Sequence, residues 1–287
     1  MNRFLLITAI AFITVLNTVY GQEFNPPFFV FEDGLWNAKS DDAQYWSDLT
    51  KDSGFDGMEL IGLDKVDDMI PALEKNKLKL FTLYIKIEIE SEQPYDKRLK
   101  ECIKKYGGQI SYLWIHVHSK LLAPSEIKGD ARCVEIVSEL ADYAALYNVK
   151  IAFYPHSDFL VEKIDDGVRL AKKINKPNVG TVFNLCHFLK KDEKDQLESK
   201  IKNAMPYLFL VSVNGADDGD THNYNWSRLI QPLGQGDYDV FNVLKILKEN
   251  GYNNPVGLQC YDIKGEPEDF LKESVLTWKK YIVKLNQ

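Results

Sequence analysis

A single (β/α)₈ barrel, class α/β, is the fold that this 287-residue chain predicts. Three observations carry that expectation. From residue 28 onward, short runs rich in Val, Ile, Phe and Tyr recur eight times, bounded by Gly, Asn or Pro. Longer amphipathic stretches lie between them, several closing on Gly or Asn as helix C-caps do. Eight such units also suit the roughly 250 residues typical of this barrel. An open doubly wound sheet is the alternative, but the chain carries no Gly-rich phosphate fingerprint.

Taken in order, FFVFEDG is the first strand and AQYWSDLTKDSG the helix behind it, with Gly54 as its stop. FDGMELIG precedes VDDMIPALEKNK, and LKLFTLYIKI precedes YDKRLKECIKKYGG. ISYLWIHVHS leads to ARCVEIVSELADYAALYN, and VKIAFYPH to FLVEKIDDGVRLAKKI. VGTVFNLCH then leads to QLESKIKNAMPY, LFLVSVNGAD to DVFNVLKILKENG, and PVGLQCYD to DFLKESVLTWKKYIVKL. No linker, low-complexity tract or charge block divides the series, so residues 22–287 are expected to form one domain.

Residues 1–21 stand apart. Arg3 precedes a nearly all-apolar run, LLITAIAFITVLNTVY, and Val19 and Gly21 suit the −3 and −1 positions of a cleavage site. That is the pattern of a secretory signal peptide, and the run is short for the roughly 20 residues of a membrane span. An exported protein with no later membrane span, periplasmic or secreted, is the expectation. Loss of Arg3 with the leader moves the formal net charge from −7 to −8. An acidic chain with scattered lysines lacks the basic face that nucleic-acid binding needs. Cys102, Cys133, Cys186 and Cys260 are too few and too widely spaced for a disulfide framework or a zinc knuckle. Cys186 and Cys260, in apolar segments, are expected as buried free thiols.

Alternation along each strand decides what faces the interior. It turns Glu59 inward on the second strand and Tyr84, Lys86 and Glu88 on the third. On the fourth it selects Trp114, His116 and His118, and on the fifth Ala152, Tyr154 and His156. The last three strands add Asn184, Ser212, Asn214, Gln259 and Tyr261, with His187 just beyond the sixth. Acids, amides, hydroxyls, imidazoles and rings at strand C-termini suit a hydroxyl-rich ligand with an apolar face, such as a carbohydrate. Trp36, Trp114 and Trp226 offer stacking surfaces. Glu59, His156 and His187 are the acid–base candidates and Lys86 a candidate electrophile. Trp36, His116, His118, Tyr154, Asn184, Ser212, Asn214 and Gln259 are the candidate substrate-binding groups.

GFDGMEL at the second strand, the Asn-x-x-His of FNLCH, PLGQGDYD followed by NVLKILKENGY, and the C-terminal PVGLQCYDIKGEPEDFLKESVLTWKKY occur in one order. In these segments the chain resembles the xylose isomerase-like barrels of the sugar phosphate isomerase/epimerase group, over most of its mature length. The resemblance implies isomerisation or epimerisation of a sugar by proton transfer next to a carbonyl, assisted by manganese or magnesium. It also implies metal ligands at four strand ends, a Glu, an Asp, a His and a Glu. Those positions match Tyr154, Asn184, Ser212 and Gln259. Hard divalent cations want anionic oxygens, so four neutral groups predict no metal at the usual site. Zinc held by His116, His118, His156 and His187 with Glu59 is the alternative. Two functions follow: a metal-free isomerase or epimerase, or a catalytically silent barrel that binds a saccharide or a partner. A nuclease of the same superfamily fits poorly with this donor set and net charge.

Overall fold

The computed structural model of the chain describes residues 23–287, and the expected leader at 1–21 lies outside them. Eight parallel strands close into one barrel, each pairing with the next and the last with the first. They are β1 (Phe28–Val30), β2 (Gly57–Ile61), β3 (Lys79–Glu88), β4 (Ile110–His118), β5 (Lys150–Phe153), β6 (Val179–Asn184), β7 (Leu208–Val213) and β8 (Val256–Leu258). The predicted (β/α)₈ barrel is borne out. Among the described residues ten α-helices accompany the strands: α1 (Ala43–Ser53), α2 (Val66–Asn76), α3 (Leu99–Tyr106), α4 (Asp130–Ala145), α5 (Ile164–Ile174), α6 (Leu185–Lys191), α7 (Leu197–Ala204), α8 (Trp226–Leu229), α9 (Val240–Glu249) and α10 (Pro267–Leu285).

Local chemistry sets their limits. Asp42 accepts the backbone N–H of Tyr45 at 3.0 Å and so starts α1, while Gly54, at φ 97°, ends it. Helix α5 begins at Ile164, not at the predicted Phe159, because the Asp166 carboxylate takes the N–H groups of Glu162 and Lys163 at 3.1 and 2.9 Å. The sixth strand ends earlier than expected, at Asn184, and the chain turns at once into α6. His187 therefore projects from a helix. None of the described helices is long and apolar enough to cross a membrane.

Two apolar layers result. Met58, Leu60, Leu83, Ile85, Ile115, Val117 and Phe153 belong to the core between strands and helices. Inside the ring a separate cluster holds Phe29, Phe31, Phe81, Trp114, Tyr154, Val182 and Leu210. Branched aliphatic residues usually fill such an interior, whereas this one is mostly aromatic. Phe29 stacks on Phe81 with centroids 5.1 Å apart, and Phe31 meets Trp114 edge-on at 5.0 Å. Gly257 makes room for those rings, since a Cβ there would lie 2.5 Å from the Phe31 ring.

Strict alternation fails at two places. The β2–β3 register shifts between Met58 and Glu59, where the partner position jumps from Leu80 to Thr82. The β6–β7 register shifts between Thr181 and Val182, with the partner jumping from Leu208 to Leu210. Each strand that carries the extra residue changes face there, so β3 and β7 each hold one irregularity of the β-bulge kind. Above them Leu83, Ile85 and Val211 face the helices and Tyr84 packs with the inner cluster.

Candidate functional site

A cavity of about 340 Å³ opens at the C-terminal ends of the strands, the face where such barrels keep their chemistry. Phe31 and Tyr154 form its base, with the Trp114 indole 5.0 Å from each. Asp33, Glu59, His116, His156, His187 and Gln259 line its walls. Trp36, Ile61 and Tyr261 form an exposed apolar rim, Trp36 being 51% accessible. No lysine or arginine is among the lining residues.

On one side stand two carboxyl groups. Glu59 is 2% exposed, and its Oε2 has no hydrogen-bond partner. Asp33 lies in the 3₁₀ turn Glu32–Leu35 directly after β1, and its Oδ1 is likewise buried without a partner. The turn packs close because residue 34 is Gly: a Cβ there would meet the Cys260 Sγ at 2.9 Å. Burial raises the Asp33 carboxyl to about 8, offset in part by the Cys260 backbone N–H and reinforced by Glu32. Glu59 is pushed well above the usual carboxylate range by burial and then by the charges of Asp33 and Glu32. Glu32 itself is satisfied, taking the Ile61 N–H at 2.7 Å with Lys65 at 3.8 Å. Sequence reading missed Asp33. An acid just past a strand end at this face was the available signal.

Four imidazoles stand on the other side. His156 Nδ1 donates to the Ser157 carbonyl at 2.8 Å, which leaves its Nε2 as an acceptor. His187 Nδ1 accepts the Ser157 backbone N–H at 3.2 Å, which leaves its Nε2 as the protonated nitrogen. Their rings lie 4.0 Å apart, and His156 stacks on Phe159 at 3.9 Å. His116 and His118 share a 2.7 Å hydrogen bond, and Tyr84 stacks on His116 at 4.0 Å. Burial lowers His116 to about 2 and His118 to about 4, aided by neighbouring imidazoles and the Lys86 charge. It also lowers His156, and takes His187 well below its ordinary value. At neutral pH the imidazoles are uncharged.

Tyr154 and Gln259 meet, the amide Nε2 donating to the phenol oxygen at 3.2 Å, while Gln259 Oε1 takes the Tyr261 N–H at 2.9 Å. Asn184 and Ser212 are paired across β6 and β7, fully buried and outside the cavity lining. Asn184 Oδ1 accepts from the Cys186 thiol at 3.2 Å, and Asn184 Nδ2 and Ser212 Oγ have no partner. Asn214 turns into the following loop, donating to the carbonyls of Gly215 and Leu229 at 2.8 and 2.6 Å. Lys86 also lies outside the cavity lining: its half-exposed ammonium pairs with Glu88 at 2.8 Å. Both sit on the part of β3 that extends beyond the end of β2, so inward alternation there no longer means inside the barrel. His118, paired with Glu88, occupies the same upper level. The four cysteines are free.

The strand-end set of Tyr154, Asn184, Ser212 and Gln259 offers a divalent cation only phenol, amide and hydroxyl groups, and two of these already serve each other. Hard cations require carboxylate oxygens, so this set does not fit manganese or magnesium. Among the described residues, no three or more His, Cys, Asp or Glu side chains are grouped to hold a metal ion. The His116–His118 hydrogen bond uses nitrogens that a zinc ion would need.

Comparison with known proteins agrees with this architecture. The sequence profile described as xylose isomerase-like TIM barrel matches residues 47–281. The chain is 24% identical over 240 residues to the inosose isomerase of Halalkalibacterium halodurans, a match covering 75% of this chain and 83% of that protein. Among solved structures, the 3-keto-D-glucoside 4-epimerase of E. coli superposes with a TM-score of 0.73 at 14% identity, over 89% of this chain and 100% of that one. The IOLI protein, solved with a zinc atom, gives 0.64 at 20% identity over 90% and 97% of the two chains. The barrel, the order of its motifs and the profile match lead to one conclusion: the chain belongs to the xylose isomerase-like TIM barrel family.

Proposed function

We propose that the protein binds an uncharged, polyhydroxylated carbonyl compound at the mouth of the barrel and moves a proton next to that carbonyl without a divalent cation. One observation carries this reading: the cavity combines buried carboxyls and uncharged imidazoles with an aromatic base and rim, and lacks any lysine or arginine. Ring faces suit the apolar side of a sugar or cyclitol, and the polar groups suit its hydroxyls. A phosphorylated or carboxylated substrate would find no cation there. Relatives named for an inosose and a 3-keto-D-glucoside support a cyclic polyol carbonyl as substrate. The neutral set at Tyr154, Asn184, Ser212 and Gln259 supports chemistry without a metal. The apolar leader-like run before residue 22 supports a site of action outside the cytoplasm.

The test joins two measurements. Metal analysis of the purified protein, with melting curves in manganese, magnesium and zinc, should find no stoichiometric ion and no stabilisation. A bound equivalent would sink the metal-free chemistry. Incubation with inososes, ketohexoses and 3-keto-glycosides in deuterated water should then place deuterium on the carbon beside the carbonyl. The neutral donor set also favours a second reading, a catalytically silent saccharide-binding barrel. Ligand-induced stabilisation without exchange would select it.

A further inference from the structure

We propose that Asp33 and Glu59 act together as the electrophile of this site, a carboxyl pair that donates hydrogen bonds and a proton to the substrate's carbonyl oxygen from the β1–β2 side. This role presupposes the sugar-carbonyl function proposed above. It stands first on geometry. Two elements, the turn after β1 and the second strand, bring two acids to one wall of a cavity of about 340 Å³. Each keeps one buried oxygen with no partner, Asp33 Oδ1 and Glu59 Oε2. A buried carboxyl oxygen left without a bond is costly, and such atoms are uncommon in folded proteins. Here two occur on side chains that line one cavity.

The surroundings keep the pair protonated. Burial is the first cause for both groups; Glu32 adds repulsion to Asp33, and Asp33 and Glu32 add it to Glu59. Tyr84 from β3, Tyr154 from β5, Cys186 from α6 and the Cys260 thiol after β8 also feel these charges, and none of them is a cation. Lys65 is engaged with Glu32. A carboxylic acid held neutral near pH 7 can serve as a hydrogen-bond donor to a developing enolate oxygen. That supplies the polarisation a metal ion gives elsewhere.

The base lies across the mouth. His156 Nε2 takes the proton from the carbon next to the carbonyl. The electron pair of that C–H bond forms the new C=C bond, the C=O π pair moves onto oxygen, and that oxygen takes a proton from the carboxyl pair. A neutral enediol, an imidazolium and a singly ionised pair result. Return of the imidazolium proton to the former carbonyl carbon, with loss to the pair of the hydroxyl proton on the carbon that gave up its C–H, makes the new carbonyl there, completes an isomerisation and restores both groups.

Infrared spectroscopy of the wild type, Asp33→Asn and Glu59→Gln at pH 7 tests the pair directly. A protonated-carboxyl C=O band in the wild type that weakens in each variant is expected, together with a loss of sugar deuterium exchange of about 10²-fold or more. Melting curves with ligand show whether the variants still fold and bind, and Glu59→Asp serves as the milder change if Gln does not fold. Absence of the band in the wild type, or its survival in both variants, overturns the pair. Wild-type exchange rates in both variants overturn it too, while leaving the sugar-carbonyl function intact. A wild type that exchanges no sugar in the panel removes that function and this role with it.

Discussion

On the β1–β2 side of the mouth, Asp33 and Glu59 are acids that burial holds protonated; on the β4–α6 side, His116, His156 and His187 are bases that burial holds unprotonated. Both sides are therefore uncharged near neutrality, by opposite proton occupancy. One side has protons to give and the other has lone pairs to receive them, with a sugar-sized gap between. A protein that polarises its substrate with a cation needs neither arrangement. The cost falls on folding, since each group is held in the charge state that water would reverse on one side or the other of neutral pH.

The largest expected effect comes from breaking the accepting side. His156→Asn should lower sugar deuterium exchange by about 10²-fold or more while leaving the melting temperature nearly unchanged, as kinetic assay and calorimetry would register. An unchanged rate would move the base elsewhere.

The interior beneath both sides can be broken without touching either. Gly257→Ala would press a methyl against Phe29 and Phe31, which form or support the base of the cavity. A loss of about 1–3 kcal/mol in urea unfolding is expected. A neutral result would mean that the aromatic layer yields more easily than its packing implies.

The two sides also predict opposite slopes of stability against pH. A histidine lowered from 6.5 to about 2 or 4 in the fold, as His116 and His118 are, binds its proton more readily when unfolded. Its contribution is lost as pH falls below about 6.5. Asp33, raised from 3.8 to about 8, keeps its proton in the fold while the unfolded chain releases it, so its contribution is lost as pH rises from about 4 to about 8. Between roughly pH 4 and 6.5 these slopes oppose each other; above 6.5 the carboxyl slope is left alone. Asp33→Asn should therefore stabilise the protein above neutral pH, by on the order of 1 kcal/mol, in chemical melts run across pH. If the variant is less stable there, the acid is not held neutral.

The smallest effect sharpens the boundary of the site. Lys86→Ala removes an exposed ion pair with Glu88 above the mouth and should change stability by less than about 1 kcal/mol, with exchange rates unaltered. A large kinetic effect would put Lys86 back among the reacting groups.

The eight units, their order and most helix limits were legible because apolar period and turn residues act locally. Tyr154, His156, His187, Glu59 and Gln259 were legible for the same reason, as polar groups at or just past strand ends. Lys86 and Asn214 were misplaced by alternation, which says which face a residue takes but not how far a strand runs past its neighbours. Asp33 escaped because Glu32 and Asp33 are adjacent acids. Only the path of the turn, set by Gly34 against Cys260, gives one a satisfied carboxylate and the other an unpartnered oxygen in the cavity wall. His187, read as lying just beyond the sixth strand, sits there on α6.

The two register shifts have a further meaning. β3 and β7 are four strands apart in a ring of eight, so the extra residues lie across a diameter of the barrel. Everything above them takes its inward or outward sense from a count of residues, not from their chemistry. A one-residue insertion just after Thr82 or Leu210 would keep every functional side chain in the gene and yet turn Tyr84 or Ser212 toward the helices. The composition of this mouth is thus written partly in chain length, and a lineage could gain or lose it by a single codon.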